Sequence, residues 1–89
     1  MKNNENKYFR TSSFYQAAFL FAKDLELVNV DRTQDPRRAY FVFIDSPERE
    51  ALLEFFSFGK ENCPEAAVDS RKLITSIKTL KEKLYQEEF

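Results

Sequence analysis

Two stretches of the chain are apolar at almost every position, and they set its plan. Residues 14–22, FYQAAFLFA, are polar only at Gln16, and residues 39–44, AYFVFI, have no polar position. At about 100° per residue, Phe14, Ala17, Ala18 and Phe21 share one face of a helix over 13–24, while Tyr15, Phe19 and Ala22 fill the next. A helix this apolar is buried on more than one side, either as the centre of its own domain or shared with a second subunit. The run 39–44 is rich in β-branched and aromatic residues. It predicts a strand inside a sheet with both faces covered.

Around these two stretches the rest falls into place. Residues 1–7 read as a frayed polar tail, and Lys7 to Arg10 as a short edge strand. Ser13 with Gln16 fits a capping box ahead of the first helix. Val28 and Val30 alternate with Asn29 and Asp31, a half-buried strand whose parity slips at Leu27–Val28 and so suggests a bulge. Asp35-Pro36 marks the turn of a hairpin. Ser46-Pro47 opens a helix over 47–58 that packs Ala51, Leu52, Phe55 and Phe56, and Gly59 ends it. Residues 60–68 read as a loop. A last helix runs from Ser70 to Gln86 with Asp69 as its cap, a seam of Leu73, Ile77, Leu80 and Leu84, and Ile74 and Tyr85 widening that seam.

The order is α+β: an apolar N-terminal helix, a β-hairpin of two or three antiparallel strands, and two C-terminal helices, in one domain over 1–89. A chain this short buries only ~60–65% of its unfolded surface. So small a sheet leaves apolar surface over, and a second copy of the chain is expected to cover it, giving a homo-oligomer, most simply a dimer. Phe14, Tyr15, Phe19, Phe21 and Tyr40 are the candidate self-association residues. Another protein partner would serve the same surface.

Composition removes most catalytic chemistry. The chain has no His, no Trp and one cysteine, Cys63, which excludes Ser-His-Asp and Cys-His catalysis, Cys/His zinc sites and an intrachain disulfide. The single glycine rules out a glycine-rich phosphate loop. Asp31, Asp35, Asp45, Glu48 and Glu50 lack a neighbouring lysine of nuclease type, and Asp45 and Glu48 suit a helix start. No enzyme, cofactor or metal is expected. A polar N-terminus and the absence of a long apolar run argue against a signal peptide or membrane span, and one lone thiol fits the cytoplasm.

Net charge is −1, but the signs are unevenly spread: residues 45–65 carry six acids against Arg49 and Lys60, while 69–83 carry five bases against Asp69 and Glu82. Arg32, Arg37 and Arg38 gather at the hairpin turn, with Arg10 on a neighbouring strand and Arg71 at the last helix. Arginine's planar fork suits phosphate. These five residues carry the alternative reading, a nucleic-acid-binding accessory protein. The competing reading pairs Arg32 and Arg38 with Asp31 and Asp35 in a solvated turn. Tyr8, Phe9 and Tyr40 are either stacking platforms for bases or packing residues.

Three segments together resemble a family of small, uncharacterised bacterial, archaeal and phage proteins known only as a domain of unknown function. They are Thr11-Ser12 followed by Gln16-Ala17-Ala18-Phe19-Leu20; Asp31-Arg32-Thr33 through Arg38-Ala39-Tyr40-Phe41-Val42-Phe43 to Asp45-Ser46-Pro47; and Val68-Asp69-Ser70-Arg71 through Ile77-Lys78 to Leu84-Tyr85. The family pattern often has proline after the aspartate at 69, where this chain has Ser70, a residue that also begins helices. The resemblance implies a small cytosolic α+β protein, often encoded among mobile-element genes. It implies no activity and carries over no catalytic residue.

Overall fold

The computed structural model describes residues 7–33 and 37–86, so the expectations for the first six residues and for Asp35-Pro36 lie outside them. The order is β1 (Tyr8–Thr11), α1 (Phe14–Ala22), β2 (Leu27–Asp31), β3 (Tyr40–Ile44), α2 (Arg49–Phe58), a 3-10 turn at Pro64–Ala66, and α3 (Ser70–Gln86). The architecture is α+β, and the possible third strand is real.

The sheet runs β1-β3-β2, with both outer strands antiparallel to β3. Thus β1 and β2 are parallel to each other, and α1 is the crossover that parallel strands require. The apolar run takes the central position because it alone can be flanked on both sides. The parity slip in β2 is a bulge: Leu27 pairs with Phe43 but Asn29 with Val42, leaving Val28 extra. Val28 is consequently exposed, and the expected burial of Val28 alongside Val30 does not hold.

Register assigns the faces. Phe9 and Leu27 flank Phe43, and Thr11 and Val30 flank Phe41. This inner face meets the helices in one core of Ala17, Ala18, Phe19, Leu20, Leu25, Phe41, Phe43 and Leu80. Phe43, Leu20 and Leu80 are its fully enclosed large side chains, each worth about 1.5–3 kcal/mol of apolar burial. The whole is a plate 40 × 38 × 19 Å. Its thickness matches two layers, one sheet and one set of helices, packed about 10 Å apart.

Helix ends show where local chemistry decided. Ser13 caps α1 by accepting from the Gln16 N–H at 3.2 Å. The reciprocal half of the expected box is absent, because the Gln16 side chain instead accepts from the Thr11 hydroxyl at 2.9 Å. At the far end Asp24 turns left-handed (φ 75°), Leu25 N–H reaches Leu20 O and Asp24 N–H reaches Phe21 O, a Schellman closure that stops the helix two residues earlier than expected. Helix α2 begins at Arg49 rather than at Pro47, with Glu48 as cap and no side-chain capping bond. Arg49 holds Asp45 through two hydrogen bonds of 3.0 and 3.2 Å, which orders the turn in between. The first of these bonds is the main reason the Asp45 carboxyl sits below its ordinary pKa.

Gly59 does stop α2, but with an extended backbone rather than a positive φ. What demands glycine is space: a Cβ there would lie 2.5 Å from Phe55 O. Helix α2 packs Leu52 and Leu53 against the core, half-buries Phe55, and leaves Ala51 and much of Phe56 exposed, contrary to the expected packing of those two. Helix α3 has the expected bounds and seam, but Ile74 and Tyr85 face solvent, and Ser76 is buried in their stead.

Candidate functional site

The outer face of the sheet is the unusual surface. By register it carries Tyr8 beside Ile44, then Arg10, Val42 and Asn29 in a row, then Tyr40 beside Asp31, with Val28 bulging from β2. Tyr8, Val28 and Ile44 are 67%, 47% and 42% exposed. In their midst Val42 is only 7% exposed, yet it stands outside the core cluster. The expected cover on both faces of β3 is therefore realised differently: helices close the inner face, and among the described residues neighbouring side chains shield the outer one.

Arg10 supplies much of that shield. Its guanidinium reaches from β1 across β3 to Asp31 on β2, Nη2 to Oδ2 2.5 Å, and lies 5.6 Å from the centre of the Tyr40 ring. Asp31 is held in place by the Thr33 hydroxyl (2.6 Å) and the Thr33 N–H (2.8 Å). These bonds, the hydroxyl first, and Arg10 after them keep the Asp31 carboxyl ionised below its ordinary range. An arginine with a partly apolar stem thus roofs the central valine while its charge is neutralised at the far edge.

The five candidate arginines consequently fall into three places. Arg10 belongs to the sheet face. Arg32, Arg37 and Arg38 line a separate cleft with Ser12, Phe14, Ala39, Phe41 and Leu84. Arg71 lies elsewhere, at the start of α3, in a shallow depression with Asp24 and Lys72. Arg32 does not use Asp31 as partner, contrary to the solvated-turn reading. It donates to Leu84 O at the end of α3, 2.8 Å away, because Asp31 is already occupied by Arg10 and Thr33. Asp35 is outside the described residues.

The candidate self-association residues also divide. Tyr40 is on the outer sheet face, half-buried under Arg10. Phe14 and Phe21 pack against the core, Phe14 with its ring edge-on to Phe41 at 5.9 Å. Tyr15 is exposed on α1, away from the sheet's outer face. Phe19 is 4% exposed, closed over by Phe56 with ring centres 4.8 Å apart. A helix in which Ala17, Ala18, Phe19, Leu20 and Ala22 are all buried has been covered by its own chain. Of the possible platforms, Phe9 faces inward beneath the Arg49 guanidinium, 4.2 Å from its ring centre, whereas Tyr8 points outward. Val28 and Ile44 are the outer-face residues that sequence reasoning missed. Ile44 shares the parity of Tyr40 and Val42, and that was the available signal.

Cys63 offers no contrary chemistry. Its thiol donates to the Glu65 carboxylate at 3.1 Å, which lowers the Glu65 pKa. Among the described residues no group of three His, Cys, Asp or Glu side chains is arranged to hold a metal ion, and no helix is long and apolar enough to cross a membrane.

A family model described as a domain of unknown function (DUF5659) matches residues 6–86, and the chain belongs to that family. No curated protein and no solved structure matches it.

Proposed function

We propose that this chain is a non-enzymatic interaction module whose outer sheet face docks onto a second copy of itself. One observation carries the reading: Tyr8, Val28 and Ile44 stand exposed around a buried Val42 that stands apart from the main core cluster. Its chemistry suits a two-fold pairing, in which one patch must complement itself. The central charges are already neutralised as the Arg10–Asp31 pair, so two copies meet without like-charge repulsion. The tyrosines bring large, semi-rigid contact area with a polar end. Face-to-face packing of two such sheets at about 10 Å would turn each two-layer plate into half of a four-layer sandwich.

Size sets the strength. Three strands about 4.8 Å apart and four to five residues long present on the order of 250 Å². A stable interface needs about 800 Å² per partner. The dimer is therefore weak, with Kd on the order of 10–100 μM, in fast exchange. Sedimentation equilibrium across that range checks it. The expected result is a concentration-dependent rise above the 10.6 kDa monomer, abolished by Ile44→Asp with unchanged far-UV circular dichroism. A monomer throughout, up to about 1 mM, removes the reading.

A further inference from the structure

We infer that copies of this chain also associate head to tail, the acidic outer side of α2 on one copy seating on the basic outer side of α3 on the next. The sheet face takes no part in this contact. Helix α1 packs against both α2 and α3, and among the described residues α2 and α3 make no comparable contact with each other, so α1 stands between them. The helix layer therefore ends in α2 on one flank and in α3 on the other. Leu52 and Leu53 turn α2 towards the core. At about 100° per residue this leaves Glu50, Ala51, Glu54 and Phe58 in one outward stripe. All four are exposed, Phe58 by 84%. Around α3 the seam of Leu73, Ile77, Leu80 and Leu84 faces inward, and Arg71, Ile74, Lys78, Lys81 and Tyr85 share the exposed outward stripe, Ile74 by 54%.

Charge and spacing choose the occupant. Lys60 lies beyond Phe58 and Glu82 lies at the edge of the α3 stripe, yet each side keeps its sign among the described residues: Glu50, Glu54 and Glu61 against Lys60, and Arg71, Lys78 and Lys81 against Glu82. Two stripes of opposite sign on one molecule fit a second copy of that molecule. Glu50 to Phe58 spans about 12 Å and Ile74 to Lys81 about 10.5 Å along their helices. Set antiparallel, Phe58 meets Ile74, Glu54 meets Lys78 and Glu50 meets Lys81, while Glu61 comes opposite Arg71. The same direction places the negative end of the α2 dipole beside the positive end of the α3 dipole. A hollow of about 770 Å³ at that end of α2, lined in part by Glu54, Phe55, Phe58, Glu61 and Cys63, receives Ile74. Pairing either stripe with itself would set like charges face to face, so the contact is heterologous. With its two halves on opposite flanks of the layer, it runs on as an open row instead of closing as a dimer. Its ion pairs are exposed and individually weak, so the row needs concentrated protein and low salt.

The test is sedimentation velocity of the full-length chain carrying Ile44→Asp, which is designed to disable the sheet face. In about 10 mM salt its weight-average mass should climb past that of two 10.6 kDa chains as concentration rises, and in about 300 mM salt the association should weaken at least about tenfold. Glu50→Lys with Glu54→Lys, or Lys78→Glu with Lys81→Glu, should each abolish association with far-UV circular dichroism unchanged. Mixing those two variants should restore it, because each then offers the other a complementary stripe. Lys72→Glu with Lys83→Glu changes net charge as much as the second pair of substitutions but lies on another side of α3, and it should leave Kd within about threefold. A mixture of folded variants that stays monomeric overturns the proposal, as does an equal loss from the Lys72 and Lys83 substitutions. A 10.6 kDa species throughout at low salt also overturns it, and leaves the two stripes to other proteins. In the unsubstituted chain, a dimer that persists in about 300 mM salt belongs to the sheet face, so either contact can fail without the other.

Discussion

The two faces of the sheet come from the same three strands, and along β3 they differ by a single step of parity. Phe41 and Phe43 point one way into a closed core, while Tyr40, Val42 and Ile44 point the other way into a row that, among the described residues, side chains protect. The inner face gains its stability from helices and depends on shape. The outer face is shielded by one arginine laid across a valine, a cover that is cheap to make and easy to displace. Burial by a packed layer is a property of the fold. Burial by a flexible charged side chain leaves the surface ready for a partner, because Arg10 can move aside at the cost of one half-exposed ion pair, an interaction worth little in water.

The largest expected effect separates the two faces directly. Phe43→Ala empties a fully enclosed site and should cost about 3–5 kcal/mol, a large share of the stability of a domain this small. Ile44→Ala, one residue further on, should cost about 1 kcal/mol or less in the monomer. Urea unfolding at low protein concentration measures both. Similar losses from the two substitutions would mean that the faces are equally structural, and the outer one would no longer be spare.

Acid sharpens the comparison at smaller scale. Asp31 on the outer face and Asp45 beside α2 both have pKa values lowered in the fold from an ordinary 3.8. A lowered carboxylate stabilises the native state above its unfolded pKa, and that contribution fades as pH falls through the lower folded value. Stability should therefore decline below about pH 4, and Asp31→Asn should flatten part of that decline. Fluorescence-monitored acid titration of the two proteins makes the check. Because Asp31 anchors the Arg10 roof, the same substitution should also alter the sheet-face dimer near neutral pH, whereas Asp45→Asn should not. An Asp31→Asn protein that self-associates like the parent would show that the roof plays no part in docking.

Much of this plan was legible in the sequence because its signals were local. The uninterrupted run at 39–44 marked the central strand, the parity slip at Leu27–Val28 marked the bulge, and the spacing of Leu73, Ile77, Leu80 and Leu84 marked the last helix. What escaped depended on pairing across the chain. The direction in which Ile44 points, and the claim of Asp31 by Arg10 rather than by the arginines of its own turn, follow from a register set by residues more than twenty positions apart. The expectation that a second subunit covers α1 through Phe19 meets a side chain already buried within its own chain. A helix apolar on every side reads the same whether its cover comes from a second subunit or, as here, from α2 and α3 of the same chain.

The smallest expected effect tests whether folding and docking are separable. Asp24 adopts a left-handed backbone to close α1, a conformation that disfavours residues other than glycine and, less strongly, Asn or Asp. Its side chain meets Lys72 Nζ at 2.7 Å, but both partners are well exposed, so that ion pair offsets little. Asp24→Gly relieves the backbone, adds some unfolded-state freedom and loses the pair. The balance should be a gain of about 0.5 kcal/mol, read as a rise of a few degrees in Tm. Asp24 lies at the end of a helix that packs on the inner face, and the turn it makes delivers Leu25 to the core. A steadier fold should therefore leave the dimer Kd of the outer face where it was. A change in Kd with this substitution would show that the outer face is coupled to the core, and that β3 transmits through its own thickness what its two rows of side chains otherwise keep apart.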